Sequence, residues 1–178
     1  MTKKILFAVF LLIAIPLVVA LFTPDSYQVE RQVEINKSKR EVFSYVKLLK
    51  NQDYFSKWAQ IDPSMSKTYR GIDGEVGFVS RWESSHPDVG TGEQEILAIV
   101  DGERIDYELR FIEPISAVSP AYMVFIDTDA NTSQVKWGFR GDMPYPMNIM
   151  MWFIDFEDVI GTDLQIGLDN LKVILEAQ

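Results

Sequence analysis

The chain has 178 residues, 47% hydrophobic and 24% charged, with 26 acidic against 17 basic side chains and a net charge of −9. That length holds one domain with a real core plus an appendage. Cysteine is absent and the only histidine, His86, precedes Pro87 in a predicted turn, so disulfides, thiolate catalysis, cysteine-ligated metal centres and multi-histidine metal sites are excluded.

Residues 5–22 form an unbroken apolar run, preceded by Lys3 and Lys4 and followed by Asp25. Eighteen helical residues cover roughly 27 Å, close to the hydrocarbon thickness of a bilayer. The flanking lysines place the N-terminus in the cytoplasm and the rest of the chain outside it, in a bacterial cell facing the periplasm or the exterior. Pro16 is tolerable in such a helix. A cleaved signal peptide, with Val18 and Ala20 before the cut, is the rival reading. The run exceeds the usual signal core and continues through Leu21 and Phe22, which favours an uncleaved anchor. The expected division is an anchor over 1–23 and a domain over 24–178. Without Lys3 and Lys4 the charge is 15 basic against 26 acidic, or −11, a poor match for nucleic acid or an anionic lipid surface. Solubility is the plain reading of that acidity.

Residues 27–35 alternate, with Val29, Val33 and Ile35 on one face and Gln28, Glu30, Gln32 and Glu34 on the other, as a half-buried strand does. Arg31 falls on the apolar face and needs a partner. Ser38 and Glu41 have capping-box spacing and open a helix carrying Val42, Phe43, Val46 and Leu49. A second short helix holds Tyr54, Phe55 and Trp58. After Pro63 the alternation predicts strands over 66–70, 76–83, 93–100, 104–111, 121–127 and 134–140, the last two a hairpin around Asp129, Ala130 and Asn131. Gly90 and Gly92 mark a turn or bulge.

The longest proline-free stretch of the domain, 147–176, predicts one helix of about 45 Å. Met150, Phe153, Ile160, Leu164, Leu168, Leu171 and Leu175 form its apolar stripe. Consecutive strands with short turns imply an antiparallel sheet, and this helix is the element able to cover its apolar face. Gly161 and Gly167 suit close packing of helix on sheet.

Five segments in order resemble the START-like superfamily, also described as SRPBCC or Bet v 1-like and often labelled polyketide cyclase/dehydrase. They are 29–46 (strand and helix), 57–65 (Trp58 ahead of Asp62-Pro63), 81–96 (Trp82-Glu83, then Gly90-x-Gly92), 141–150 and 160–172. The resemblance implies an α+β helix-grip fold: a curved antiparallel sheet wrapped on a long C-terminal helix, here preceded by a single N-terminal transmembrane helix. It also implies a cavity for a lipid or another apolar small molecule. It brings no catalytic set and no cofactor.

The cavity candidates are Phe55, Trp58, Trp82, Tyr107, Met123, Trp137, Phe139, Met151 and Trp152, because small apolar ligands need apolar pockets with a few polar groups and such side chains frame irregular guests. Aromatic residues at a sheet–helix interface also serve as plain core. Residues 149–154 are apolar on every side, which suits either enclosure by loops or an apolar mouth to the cavity. Glu83 and Asp62 are the carboxylates close to tryptophans, without a matched second group for acid–base work. Three readings follow: a membrane-tethered extracytoplasmic binding module, a cyclase- or dehydratase-like enzyme on an apolar substrate, and an envelope structural or interaction protein. Expected partners are the apolar molecule and, through the first helix, the membrane.

Overall fold

The computed structural model describes residues 2–178. An isolated apolar helix, α1 (Thr2–Ala20), is followed by β1 (Ser26–Ile35) and three short helices, α2 (Lys39–Val46), α3 (Gln52–Phe55) and α4 (Lys57–Ile61). Six strands come next: β2 (Ser66–Arg70), β3 (Val79–Glu83), β4 (Thr91–Val100), β5 (Arg104–Glu113), β6 (Ala117–Asp129) and β7 (Thr132–Asp142). A 3₁₀ segment (Met147–Trp152) leads into α5 (Phe156–Glu176). The seven strands form one antiparallel sheet in the order β1-β7-β6-β5-β4-β3-β2. This is the helix-grip arrangement, with α5 lying along the concave face.

Period-two patterning sets that face. Val29, Ile35, Ile96, Ile105, Tyr107, Met123, Phe125, Val135 and Trp137 point inward and form one buried cluster with Leu164, Leu168, Leu171 and Leu175 of α5. The short helices share the covering. Phe43 of α2 meets Phe125 edge-on at 5.2 Å, and Phe55 of α3 meets Trp137 at 5.8 Å. Ser38 and Glu41 make the expected reciprocal capping box at the start of α2.

Arg31 has the partner its position demands. Its guanidinium crosses α5 and donates to Glu157 Oε1 at 2.8 Å and to the Glu157 carbonyl at 3.0 Å. A Cβ at Gly161 would collide with that guanidinium, so the glycine is the notch that lets it pass. Gly167 does the same for Trp137, whose Cζ3 would stand 2.7 Å from an added Cβ.

Two expectations need correction. The C-terminal helix does not run unbroken from Met147. Asp155 leaves helical geometry (ψ 87°) and accepts a hydrogen bond from the Asp158 amide, so α5 starts at Phe156. An N-cap aspartate outweighs an apolar period that continues through it. Twenty-one residues of α5 span about 32 Å, and Phe153, read as part of the stripe, is 80% exposed. The strand predicted over 76–83 also starts later, at Val79, because residues 71–77 turn through glycines at positive φ, Gly71, Gly74 and Gly77. Val76 is consequently exposed.

Candidate ligand cavity

Followed through its register, the concave face is a stack of rows. Lys67, Trp82, Gly92, Phe111 and Ala117 lie side by side nearest the end of the sheet where β1 begins. Two residues further along each strand come Tyr69, Ser80, Gln94, Leu109 and Ser119. Next are Ile96, Tyr107, Ala121, Phe139 and Val29, then Ile105, Met123, Trp137 and Arg31. A cavity of about 450 Å³ lies over the first two rows and part of the next two, roofed by Trp58 and Ala59 of α4 and by Ile160 and Leu164 of α5. That volume falls in the range of roughly 300–1,000 Å³ typical of small-molecule sites.

The cavity exists because small residues sit where large ones would close it. Gly92 leaves room for Trp82, whose Cζ2 would stand 2.5 Å from a Cβ there. The indole lies across the strand, edge-on to Phe111 at 6.3 Å, and donates from Nε1 to the Val89 carbonyl at 3.3 Å. Ala117, Ser119 and Ala121 floor the cavity along β6.

Four of the residues singled out in the sequence line this cavity: Trp58, Trp82, Trp137 and Phe139. Phe55, Tyr107 and Met123 lie in the packed core beyond it, each no more than 2% exposed. Met151 and Trp152 are outside, in the 3₁₀ segment, with Trp152 69% exposed. Alternation tells which face a strand residue occupies but not how deep along the sheet it lies, so wall and core residues carry the same signature. The lining also includes Ser80, Gln94 and Ser119, which the sequence reading passed over. Their signal was present: Gln94 is a polar residue at an inward position between Gly92 and Ile96.

Lys67 and Asp53 form an ion pair on the cavity wall, and Tyr69 donates to Asp53 Oδ2 at 2.9 Å. Burial and that hydrogen bond push the Tyr69 phenol up to about 12, so it remains a donor at physiological pH. Tyr27, also on the wall, is raised by burial and by Asp142. Glu83 and Asp62 do not line the cavity. Glu83 turns outward to Arg81 at 2.8 Å. Asp62 accepts from the hydroxyls of Ser64 and Ser84, and these bonds hold its carboxyl below the usual range. Among the described residues no cluster of three metal-ligating side chains occurs.

The most exposed lining residues are Asp88, Ile115, Ala117 and Asp142, and all four belong to the sheet end where β1 starts, since Ser26 pairs with Asp142; Asp53, Trp58, Met65 and Lys67 of the lining are half-buried. The first helix joins the domain at this same end and is fastened there. Asn148, 2% exposed, donates from Nδ2 to the carbonyls of Ala20 (2.8 Å) and Thr23 (2.9 Å). Trp152 Nε1 donates to Thr23 Oγ1 at 2.9 Å. These bonds satisfy carbonyls that a helix C-terminus leaves open. Leu21, Phe22, Trp152 and Phe153 of these segments are exposed, as is Ile115 in the β5–β6 turn at the same end of the sheet.

No protein-family model and no curated protein matches the sequence. Solved structures match over most of its length. Truncated norcoclaurine synthase from Thalictrum flavum has a TM-score of 0.61 at 10% identity, over 86% of this chain and 95% of that one. Ara h 8.0201 has a TM-score of 0.55 at 14% identity, over 86% and 99%. The di-domain ARO/CYC StfQ of the steffimycin biosynthetic pathway has a TM-score of 0.61 at 10% identity, over 85% of this chain and 51% of that one. The chain has the Bet v 1-like, START-like helix-grip fold that its motifs resemble. At these identities the likeness is one of fold, and fold does not fix function.

Proposed function

We propose that this protein is a membrane-tethered binding module that holds an apolar small molecule or lipid between sheet and helix, with the mouth of its cavity turned toward the bilayer. The observation that carries the reading is the coincidence at one end of the sheet: the most exposed lining residues, the exposed apolar rim and the attachment of α1. Transfer of the ligand from water or lipid into the cavity would be driven by burial of its apolar surface.

In this reading α1 is retained as a membrane anchor. It is 19 residues long and carries no charge after Lys4, and most of its large apolar side chains are exposed. A cut after Ala20 would remove one of the two carbonyls to which Asn148 donates, a net loss of about 0.5–1.5 kcal/mol. Lys3 and Lys4 favour a cytoplasmic N-terminus, which puts the domain on the far side of the membrane. An enzyme reading finds less support, since neither carboxylate suggested by the sequence faces the cavity.

The test is mass spectrometry of an organic extract of the full-length protein beside Ala117→Trp. Ala117 is exposed at the mouth, so a tryptophan there obstructs entry without disturbing the core, and annular lipid around α1 is common to both proteins. A stoichiometric apolar molecule in the wild type, absent from the variant, is the expected result. Identical extracts would overturn the reading.

A further inference from the structure

The second row of the concave face carries more polar side chains than the other rows, in which Lys67 and Arg31 are the charged members. Ser80 pairs with Gln94, Gln94 with Leu109, and Leu109 with Ser119, so three polar side chains cross four strands at one level. Gln94 is 8% exposed and Ser119 is 3% exposed, and both line the cavity. Their polar atoms are not sealed in protein. Among the described residues, Asn148 Oδ1 alone is both closed off and without a partner. Neither side chain hydrogen-bonds to any described residue, so the Gln94 amide and the Ser119 hydroxyl keep accessible surface and open on the cavity they line, where burial without a hydrogen bond is costly.

Apolar surface lies on both sides of this row. Toward the mouth are Trp82 and Phe111, and inward are Ala121 and Phe139. Two strand residues separate adjacent rows, or roughly 7 Å. The charged pair on the wall, Lys67 with Asp53, neutralises itself. A glutamine and two serines offer both donors and acceptors and no net charge.

We propose that the ligand is a neutral amphipathic molecule whose hydrogen-bonding group, an ester, keto or hydroxyl oxygen, lies within its length and docks on Ser80, Gln94 and Ser119. Its apolar parts extend toward Trp82 on one side and toward Phe139 on the other. This rests on the binding reading above and narrows the class of molecule bound. A carboxylate would meet no free cation in the row, and a plain hydrocarbon would leave the row's polar groups unpaired.

Three photoprobes of equal length, each with a terminal diazirine, decide the matter: a mid-chain ester, the matching hydrocarbon and the matching fatty carboxylate. Full-length protein in phospholipid nanodiscs is irradiated with each, and labelling of cavity peptides, those holding Trp82 and Trp137, is quantified by mass. Comparing wild type with Gln94→Leu and with Ser119→Ala cancels the partitioning of each probe into the disc. The ester is expected to label wild type about 10-fold more than the hydrocarbon, as one or two net hydrogen bonds would give. That ratio should fall close to one in Gln94→Leu and part-way in Ser119→Ala. An ester-to-hydrocarbon ratio near one in wild type, a ratio unchanged by both variants, or a carboxylate that outdoes the ester would each overturn the assignment while leaving the cavity's binding role standing. No cavity labelling by any probe would sink both.

Discussion

Two glycines of α5 should respond unequally to the same substitution. Replacing either by alanine gains helix propensity, about 1 kcal/mol in each case, so the comparison between them removes that term. At Gly161 the new methyl meets the end of the Arg31 side chain, which is long and can swing toward solvent. The loss is its ion pair with Glu157, a partner whose side chain is 67% exposed, worth about 0–1 kcal/mol, and its bond to the Glu157 carbonyl, worth about 1 kcal/mol. Gly161→Ala should therefore lie within about 1 kcal/mol of wild type. At Gly167 the methyl meets the Trp137 ring, 4% exposed and wedged edge-on against Phe55 and Trp58. To give way, that ring must break its edge-on packing on Phe55 and Trp58 and turn toward the cavity it borders, and overpacking costs about 1–3 kcal/mol. Gly167→Ala should be less stable than Gly161→Ala by up to about 2 kcal/mol, a gap of up to roughly 4–8 °C in Tm for a chain of this size. Urea and thermal unfolding of the two full-length variants, followed by tryptophan fluorescence, measure the gap directly. Equal stability, or Gly161→Ala as the weaker protein, would refute the packing argument.

Two further predictions rest on single contacts. Glu30 accepts from the Tyr122 hydroxyl at 2.6 Å, and this bond, against some burial and with help from Lys136 and Arg104, holds its carboxyl below the usual glutamate range. A carboxylate depressed by folding stabilises the protein above its unfolded pKa and loses that contribution as pH falls through the folded value. Glu30→Gln should accordingly show a shallower loss of stability between about pH 5 and pH 3 than wild type; identical acid limbs would contradict it. Asn148→Ala removes two hydrogen bonds at the end of α1, about 1 kcal/mol each, and should raise local opening of residues 21–25 roughly 30-fold. Limited proteolysis at that segment should speed up while the unfolding midpoint of the sheet stays put, and an unchanged cleavage rate would show that the clamp contributes nothing.

The fold was legible because its signals are local and repeated. Alternation in β1 and β5, the capping box at Ser38, and the spacing of Leu164, Leu168, Leu171 and Leu175 each specify an element without reference to the rest. Arg31 was legible as a problem, a charge on an apolar face, but its solution lies 126 residues away in Glu157. The cavity was only half legible. Tyr107 and Phe139 share one row of the sheet, yet Phe139 bounds the cavity and Tyr107 lies outside it. The difference depends on where α4 and α5 stand off the sheet, which no single segment encodes. Small and polar inward residues, Gly92, Gln94, Ser119 and Ala121, mark that stand-off better than aromatic ones do, since a cavity is defined by what fails to fill it.

The sheet order carries a consequence for how the chain is made. The first strand of the domain pairs residue for residue with the last, Val29 opposite Phe139 and Ile35 opposite Ser133. During synthesis β1 emerges early and waits, with an open edge, until β7 is available. Long-range closures of this kind are slow, and unpaired edges invite wrong partners. The waiting strand carries Glu30 and Glu34 on one face and Arg31 on the other, and charges on a strand are a recognised guard against edge-to-edge association. The same arginine crosses α5, the last element of the chain to be synthesised, so a charge that guards the nascent strand also helps fasten the finished domain.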